Sequence, residues 1–260
     1  MTQTQLAVNG AVGRMGQTIR DTATTRDDVS VALGVSPTTD TESDHPIVAP
    51  TDRQDALKTR DIDVVVDFST ADAVEPLARD CTATDVALVS GTTGLDEETR
   101  EVLQAASEEV PVLHATNFSR GVVALQRALD SALAALPSYD IELLETHHSG
   151  KQDAPSGTAT TLLETVADHR DVASVHGRNG EQQREDGEVG VFSRRAGTVR
   201  GEHEILLADN DEALTLTHRA ESRGVFAVGA LDASHWLAGR LAGRYSVVDV
   251  FADTTNGDET

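Results

Sequence analysis

Short apolar runs alternate with helical stretches along the first 113 residues, and this alternation constrains the fold more than any other feature. The run at residues 62–68 is rich in valine, which is typical of a strand buried on both faces of a parallel sheet. Strands and helices that alternate in this way predict a doubly wound parallel sheet. Five strands are predicted, at residues 6–8, 29–35, 62–68, 86–90 and 110–113. The predicted helices between them lie at residues 14–23, 72–81 and 96–108.

The alternation stops after residue 117. A long apolar helix, a strand and a second helix are predicted first, followed by a polar, glycine-rich stretch at residues 176–187. Three strands then follow one another with no helix between them, which predicts a separate α+β domain with a mixed or antiparallel sheet. The predicted helices lie at residues 121–136, 156–168 and 225–241, and the strands at residues 139–146, 190–195, 203–208 and 213–217.

The charge balance excludes several classes of partner. Of 260 residues 44 are acidic and 21 basic, which gives a net charge of -23. A surface this acidic repels nucleic acids and anionic lipids. The acidic residues are spread along the whole sequence, which indicates adaptation to high salt. No apolar run approaches the roughly 20 residues that cross a membrane, no export signal is recognised, and the single Cys81 has no disulfide partner. We therefore expect a cytoplasmic protein.

Three glycines, Gly10, Gly13 and Gly16, follow the first predicted strand with the spacing G-x-x-G-x-x-G. Glycines at such a turn let backbone N–H groups approach a pyrophosphate, and the following helix adds a partial positive charge. The alternative is a tight strand-to-helix turn that binds nothing. The position after the first strand of an alternating sheet favours a Rossmann-like dinucleotide site. Its candidate residues are Gly10, Ala11, Val12, Gly13, Arg14 and Met15.

Two further loops follow predicted strands of the same sheet, at residues 91–94 and 115–118. Open parallel sheets bind ligands at the carboxyl ends of their strands, so we expect these loops to contact the cofactor, although either could be a plain turn. An acidic residue usually holds the NAD ribose at the end of the second strand, but residues 36–39 read Ser-Pro-Thr-Thr. Hydroxyl groups there could accept a 2′-phosphate, so the predicted cofactor is NADPH or NADH. The candidate residues are Gly91, Thr92, Thr93, Ala115, Thr116, Asn117 and Phe118.

Two histidines close a predicted strand beside a rare lysine. Lys151 and Lys58 are the only lysines against nineteen arginines, and an ammonium offers a tunable pKa that a guanidinium does not. His147 and His148 are candidate proton donors near neutral pH. Consecutive strand residues point to opposite faces, so we expect the two to have different partners, and the sequence leaves open which one carries the proton.

The segment that follows has the features of a helix start. Asp153 or Ser156 is suited to cap the helix, Pro155 favours an early helical position, and Gly157 leaves the backbone uncovered. Backbone N–H groups at such a terminus bind anions. Together with Lys151 they predict a binding site for a carboxylate. No metal site is predicted.

Residues 145–159 resemble the signature E-x-H-H-x-x-K-x-D-A-P-S-G-T-A of the 4-hydroxy-tetrahydrodipicolinate reductase (dihydrodipicolinate reductase) family. The glycine loop is similar to that family's opening G-x-x-G-R-M-G. Residues 66–69, 91–95, 117–122, 201–203 and 217–223 fall in the family's order, so the resemblance covers nearly the whole chain.

This resemblance implies the reduction of a cyclic imine dicarboxylate by NAD(P)H in lysine biosynthesis through diaminopimelate. It implies that His147 is the acid/base residue and that Lys151 donates a proton and orients the substrate. The implied substrate-binding residues are His148, Ser156, Gly157 and Thr158. A dinucleotide-binding domain is expected at residues 1–117 and 229–260, and a substrate-binding and oligomerisation domain at residues 118–228. The family is typically homotetrameric through this second domain.

Two other interpretations compete with this one. One is another two-domain NAD(P) dehydrogenase, such as an amino-acid or semialdehyde dehydrogenase. The thiol-dependent kind would need a reactive cysteine, but Cys81 lies in a predicted helix between the third and fourth strands. A cofactor-sensing regulator without chemistry would have little reason to keep His147 and Lys151 together. Both interpretations are less favoured than the reductase.

Overall fold

Seven strands, all parallel, form the sheet of the first of two units into which the chain divides. The computed structural model describes residues 3–38 and 43–253; this first unit comprises Met1–Ser119 and Arg223–Thr260. The strands are β1 (Thr4–Asn9), β2 (Val29–Val35), β3 (Ile47–Val48), β4 (Val64–Asp67), β5 (Ala87–Ser90), β6 (Pro111–His114) and β12 (Gly243–Tyr245). Their order in the sheet is β12-β6-β5-β4-β1-β2-β3. The predicted doubly wound parallel sheet is confirmed.

Helices cover both faces of this sheet. They are α1 (Arg14–Ala23), α2 (Arg53–Lys58), α3 (Ala71–Thr84), α4 (Glu97–Ser107), α7 (Gly224–Leu237) and α8 (Val247–Asp253). On one face α3 packs between α2 and α4, and on the other α1 packs against α7. The central strand β4 is fully buried over Val64, Val65 and Val66, as its unbroken valine run predicts.

Helix α7 returns the chain to the first unit and packs against the middle of its sheet. Half of its residues are buried and form a broad face of the helix, while Val228 and His235 on the other side are exposed. The buried residues are Ala227, Gly229, Ala230, Leu231, Ala233, Ser234 and Leu237.

The predicted helix at residues 225–241 is too long, because α7 ends at Leu237. The ψ of Ala238 is 126° and the φ of Gly239 is +74°, so the backbone leaves the helical conformation there although the sequence pattern continues. Four short elements were not predicted, because two to seven residues show no periodicity to detect. They are β3, α2, β12 and α8.

The second unit, Arg120–Ser222, contains a mixed five-stranded sheet. Its strands are β7 (Asp140–His147), β8 (Ala173–His176), β9 (Glu188–Arg195), β10 (Glu202–Asp209) and β11 (Glu212–Arg219), in the order β11-β10-β7-β9-β8. The central strand β7 is parallel to β9 and antiparallel to β10. The predicted α+β architecture with a mixed sheet is confirmed, and the short strand β8 was not predicted.

The two faces of this second sheet differ. Helices α5 (Arg120–Ala135) and α6 (Gly157–His169) pack on one face and share a core with it. That core includes Leu129, Leu162, Ile141, Leu143, Val191 and Ile205. The neighbouring positions on the strands, Leu144, Phe192 and Leu206, point to the opposite face and are only half-buried. Within the described ranges, no helix is both long enough and apolar enough to cross a membrane.

We predict that Gly229→Ala destabilises the first unit. An alanine Cβ at this position would lie 1.8 Å from the carbonyl oxygen of Phe118, so α7 has to move away from that backbone. Alanine normally favours a helix over glycine by roughly 0.5–1 kcal/mol, but steric overpacking costs about 1–3 kcal/mol, and we expect the steric effect to win.

The measurement is the free energy of unfolding by denaturant at fixed salt. Val228→Ala is the matched control, because Val228 is the adjacent residue and is 42% exposed; its effect is expected to stay within about 0.5 kcal/mol. An alanine variant at 229 as stable as the wild type would contradict this account of how α7 packs.

Candidate active site

The glycine loop of the first unit is packed too closely for side chains at two of its positions. Gly10 has a φ of +80° and a Cβ there would lie 2.7 Å from the carbonyl oxygen of Phe68, while a Cβ at Gly16 would lie 2.2 Å from the carbonyl oxygen of Gly10. Helix α1 begins at Arg14, with Gly13 as its N-cap and no side chain that caps it. First-turn N–H groups have no partner inside a helix, so this terminus fits a phosphate-bearing cofactor.

The N–H groups of the loop divide into two sets. Those of Gly10 and Ala11 both donate to the carbonyl oxygen of Val35, at 3.0 and 3.1 Å, and that of Gly13 donates to Gly10 at 2.9 Å. The first two therefore hold the loop against the end of β2, and the third closes a turn within the loop. The donors suited to an anion are those of the first turn of α1, which begins at Arg14.

A buried carboxylate organises the edge of the sheet where this loop lies. Asp67 ends β4 and is completely buried. Its Oδ1 accepts hydrogen bonds from the Asn9 amide at 2.8 Å and from the Ser69 hydroxyl at 2.5 Å. Its Oδ2 accepts from the hydroxyls of Ser90 at 2.8 Å and Thr92 at 2.7 Å. Asp67 thus ties together the ends of β1, β4 and β5 with the loops that follow. We did not predict this role, although a carboxylate directly after a buried strand is a signal for it.

The three segments predicted to bind a cofactor follow β1, β5 and β6. Because these strands are parallel, their carboxyl ends share one edge of the sheet. At Gly91 a Cβ would lie 2.3 Å from the ring of Phe68. Thr93 and Thr116 are exposed, whereas the ring of Phe118 is buried with its centroid 5.6 Å from that of Phe68. Phe118 therefore has a packing role through its side chain.

The end of β2 carries two hydroxyls that lie close together. The hydroxyl oxygens of Ser36 and Thr38 are 3.3 Å apart, and the N–H of Thr38 donates to Ser36 at 3.2 Å. Thr39 lies outside the described residues. The described hydroxyls stay candidates for contact with a 2′-phosphate.

In the second unit, His147 is paired with a buried carboxylate on its own strand. Residues 145 and 147 face the same side of β7, and the distance from His147 Nδ1 to Glu145 Oε2 is 2.6 Å. A carboxylate only accepts, so His147 keeps a proton on Nδ1 and turns Nε2 outward. A Cβ at Gly201 would lie 3.2 Å from that Nε2, and glycine leaves room there.

Glu145 is held on its other side by an arginine of the neighbouring strand. Arg195 donates from Nη1 to Oε2 at 2.8 Å and from Nη2 to Oε1 at 2.6 Å. Burial raises the pKa of Glu145, but the hydrogen bonds from His147 and Arg195 outweigh it and lower the pKa from 4.5 to about 2. Glu145 is therefore a carboxylate throughout the physiological range. We did not predict a role for Arg195, which meets Glu145 only through the pairing of β7 with β9.

Lys151 lies in the loop after β7. Its ammonium donates to the Asp153 carboxylate at 2.8 Å, and its N–H donates to the carbonyl oxygen of His148 at 3.1 Å. The Lys151 side chain is 21% exposed. The cation is therefore held at the protein surface by one carboxylate and stays accessible to a ligand.

Helix α6 is capped by Ser156, whose hydroxyl accepts the N–H of Ala159 at 3.3 Å. The sequence offered Asp153 or Ser156 as the cap. Pro155 precedes the cap and does not lie in the first turn, because the helix begins at Gly157. Gly157 and Thr158 therefore occupy the first turn, the part of a helix that can bind an anion through its backbone.

A second histidine, His203, is buried and lies between the Ser156 hydroxyl and the ring of His147. The hydroxyl of Ser156 lies 3.1 Å from His203 Nε2, and the ring of His203 meets that of His147 edge-on, with centroids 5.2 Å apart. Burial lowers the pKa of His203 to about 3, so this ring is neutral at physiological pH. We did not predict this residue, because it comes from β10.

Nearly the whole chain matches the two models of one family, and the chain belongs to that family. Residues 4–118 match the model described as "Dihydrodipicolinate reductase, N-terminus" and residues 121–251 match "Dihydrodipicolinate reductase, C-terminus". A 4-hydroxy-tetrahydrodipicolinate reductase of Haloarcula marismortui is 51% identical over 95% of this chain and 98% of its own length. One from Natronomonas pharaonis is also 51% identical, over 94% and 98%.

The fold is shared with solved structures. A dipicolinate-bound dihydrodipicolinate reductase from Paenisporosarcina sp. TG-14 superposes with a TM-score of 0.77, at 23% identity, over 94% of this chain and 98% of that one. GenD2 from gentamicin A biosynthesis, in complex with NAD, has a TM-score of 0.63 at 16% identity over 100% and 89%.

The low pKa of His203 gives a prediction about acid unfolding. The folded protein keeps this ring neutral down to about pH 3, whereas the unfolded chain protonates it near pH 6.5. Stability from this residue is therefore present above pH 6.5 and is lost as the pH falls toward 3. In His203→Asn, we expect the free energy of unfolding to fall less steeply between pH 5.5 and 4.5, by about 1.4 kcal/mol per pH unit, because one proton fewer is taken up.

Denaturant unfolding at several pH values in constant salt measures this slope. His176→Asn is the control, because His176 is exposed in β8, and its slope is expected to match the wild type. Identical slopes for the wild type and the His203 variant would show that His203 is protonated in the folded protein.

Proposed function

We propose that His147 and Lys151 carry the proton chemistry of this chain, which belongs to the dihydrodipicolinate reductase family. The chain reduces 4-hydroxy-tetrahydrodipicolinate with NAD(P)H to give tetrahydrodipicolinate and water, in lysine biosynthesis through diaminopimelate. The observation that carries the assignment of residues is the 2.6 Å contact of His147 Nδ1 with the buried Glu145. The cation of Lys151 follows His147 by four residues, in the loop after β7.

The proton chemistry follows from the charges around His147. The Glu145 carboxylate accepts a hydrogen bond from His147 Nδ1. This leaves Nε2 to take a proton from the carbon next to the one that bears the hydroxyl, and to return it when the hydride is transferred. Lys151 attracts a substrate carboxylate and donates a proton to the departing hydroxyl, which leaves as water. NAD(P)H, when bound, supplies the hydride.

Substrate recognition is assigned to the loop after β7 and the start of α6. A dicarboxylate substrate is suited to a helix terminus that offers N–H groups and to a nearby ammonium. The hydroxyl of Ser156 is already engaged with Ala159 and His203, so its part is to fix the terminus. The proposed substrate-binding residues are His148, Ser156, Gly157 and Thr158.

The first unit is assigned the nicotinamide cofactor. The close approach of Gly16 to Gly10 and the uncapped start of α1 fit a pyrophosphate. The domains proposed are residues 1–117 and 229–260 for the cofactor and residues 118–228 for the substrate and for assembly. The proposed cofactor-binding residues are Gly10, Ala11, Val12, Gly13, Arg14, Met15, Gly91, Thr92, Thr93, Ala115, Thr116, Asn117 and Phe118.

The half-buried side chains on the second sheet suit assembly with further copies of the chain. Leu144, Phe192 and Leu206 form an apolar strip on the face opposite α5 and α6. Burial of such a strip against another copy removes apolar surface from water. We propose a homotetramer built through this unit. The net charge of -23 supports a salt-adapted protein, and the pathway supports a location in the cytoplasm.

A coupled assay tests the reaction. Dihydrodipicolinate synthase, pyruvate and aspartate semialdehyde generate the substrate, and oxidation of the nicotinamide is followed in molar salt. We expect turnover with NADPH and with NADH, because Ser36 and Thr38 present hydroxyls where a carboxylate would repel a 2′-phosphate. The kcat/KM values for the two cofactors are compared. No oxidation by folded protein would rule out the reaction, and a strong NADH preference would rule out the role of the hydroxyls.

Substitutions test the two proton carriers. We expect His147→Gln and Lys151→Ala each to lower kcat/KM by roughly 10²–10⁴-fold, because each removes a group that acts in the transition state. Lys58→Ala is the matched control for the lysine, since Lys58 is exposed and donates a hydrogen bond to Gln54 at 3.2 Å. His176→Gln is the matched control for His147→Gln, since His176 is exposed in β8. Wild-type rates in both active-site variants would move the chemistry to other residues.

A further inference from the structure

Five residues, His147, Glu145, Arg195, Asp153 and Lys151, form an unbroken series of contacts that includes the two proposed proton carriers. His147 Nδ1 contacts Glu145 at 2.6 Å, and Glu145 contacts Arg195 at 2.6 and 2.8 Å. Arg195 Nη2 also donates to the carbonyl oxygen of Asp153 at 2.6 Å. The carboxylate of Asp153 accepts from Lys151 Nζ at 2.8 Å. Arg195 stands in the middle of the series and is the only member that contacts both halves.

We propose that Arg195 is a positioning residue that sets His147 and Lys151 relative to each other, through the Glu145 carboxylate on one side and the Asp153 carbonyl on the other. The proposal rests on the proposed function, since it concerns the same two proton carriers. It assigns Arg195 no contact with substrate or cofactor.

The fold brings Arg195 to this place through strand pairing. His147 and Arg195 are register partners at the ends of the parallel strands β7 and β9. The connection continues beyond the strands through backbone hydrogen bonds. The N–H of Ala196 donates to the carbonyl oxygen of His147 at 2.9 Å, and the N–H of Ser149 donates to the carbonyl oxygen of Gly197 at 3.2 Å. The loop that carries Lys151 is therefore attached to the end of β9 by its backbone as well as by the guanidinium.

The chemistry of the guanidinium suits this task better than that of an ammonium. Its planar fork donates in fixed directions. Here it donates to both oxygens of Glu145 and to the carbonyl oxygens of Asp153 and Arg194. A lysine at the same position would keep the charge but would place all donors on one atom. Taking Glu145 and Arg195 out of water is costly, so the pair is better explained by the geometry it imposes than by stability alone.

The charged and titratable groups around His147 come from three strands and one loop. They are Glu145 from β7, Arg195 from β9, the neutral His203 from β10, and Lys151 with its partner Asp153 from the loop. Arg195→Met removes a positive charge from this cluster, whereas Arg195→Lys keeps it. The alkaline limb of the pH–activity profile is therefore expected to move to higher pH in Arg195→Met alone.

Two substitutions separate the geometry of Arg195 from its charge. In Arg195→Lys we expect kcat to fall about 10²-fold, as for a misplacement near 1 Å, with KM changed much less and the alkaline limb of the pH profile unmoved. In Arg195→Met we expect a similar loss of kcat and a shift of the alkaline limb to higher pH.

The matched control is Arg170→Met, which removes an arginine that donates to the carbonyl oxygens of Pro137 and Tyr139 at 2.8 Å near the other end of β7. It is expected to lower the stability but to leave kcat and the pH profile unchanged, as a purely structural arginine would. If Arg195→Met does not fold, the test rests on Arg195→Lys, which keeps a cation beside the buried Glu145.

The failure of this inference is distinguishable from failure of the proposed function. An inactive, folded wild type would overturn the proposed function. An active wild type with wild-type kcat in Arg195→Lys would overturn the positioning role alone, and so would an Arg195→Met variant whose alkaline limb stays in place.

Discussion

Each unit of this chain contains one carboxylate that is completely withdrawn from water, and the surrounding segments are arranged to satisfy it. An ionised carboxyl group without partners is too costly to bury. The neighbouring residues therefore have to place hydrogen-bond donors within reach of its oxygens. Asp67 accepts hydrogen bonds from one amide and three hydroxyls at the ends of three strands. Glu145 collects an imidazole and a guanidinium. The loops of the candidate site are fixed in each unit because they supply or adjoin those donors.

The two carboxylates differ in the charge of the groups that surround them. Asp67 is surrounded by neutral donors and leaves a rigid sheet edge, which suits the binding of a ligand through the backbone. Glu145 lies between two groups that carry or accept positive charge, which suits the transfer of protons. The scarcity of lysine fits the same distinction, because the fork of Arg195 holds a fixed geometry, whereas Lys151 offers a point charge near the surface.

Much of the fold could be predicted because its longer elements carry their own patterns. The valines of β4 and the apolar repeat of α5 are local signals that do not depend on partners. Strands β3 and β12 are two and three residues long and exist only because a neighbouring strand pairs with them. In the site, His147 and Lys151 were predictable because they are close in sequence. Arg195 lies 50 residues from Glu145, and His203 lies 47 residues from Ser156, so only the pairing of β7 with β9 and β10 brings them in.

The return of the chain in α7 also determines the order in which the protein is built on the ribosome. The second unit is one continuous segment, so all of its strands and helices are synthesised before α7. The first unit begins earlier, yet the helix that covers the middle of its sheet follows the whole second unit. The part of the sheet that α7 covers is therefore exposed until then. In the cell, the half of the molecule that starts first finishes folding last, and its strands are the part most in need of protection from aggregation.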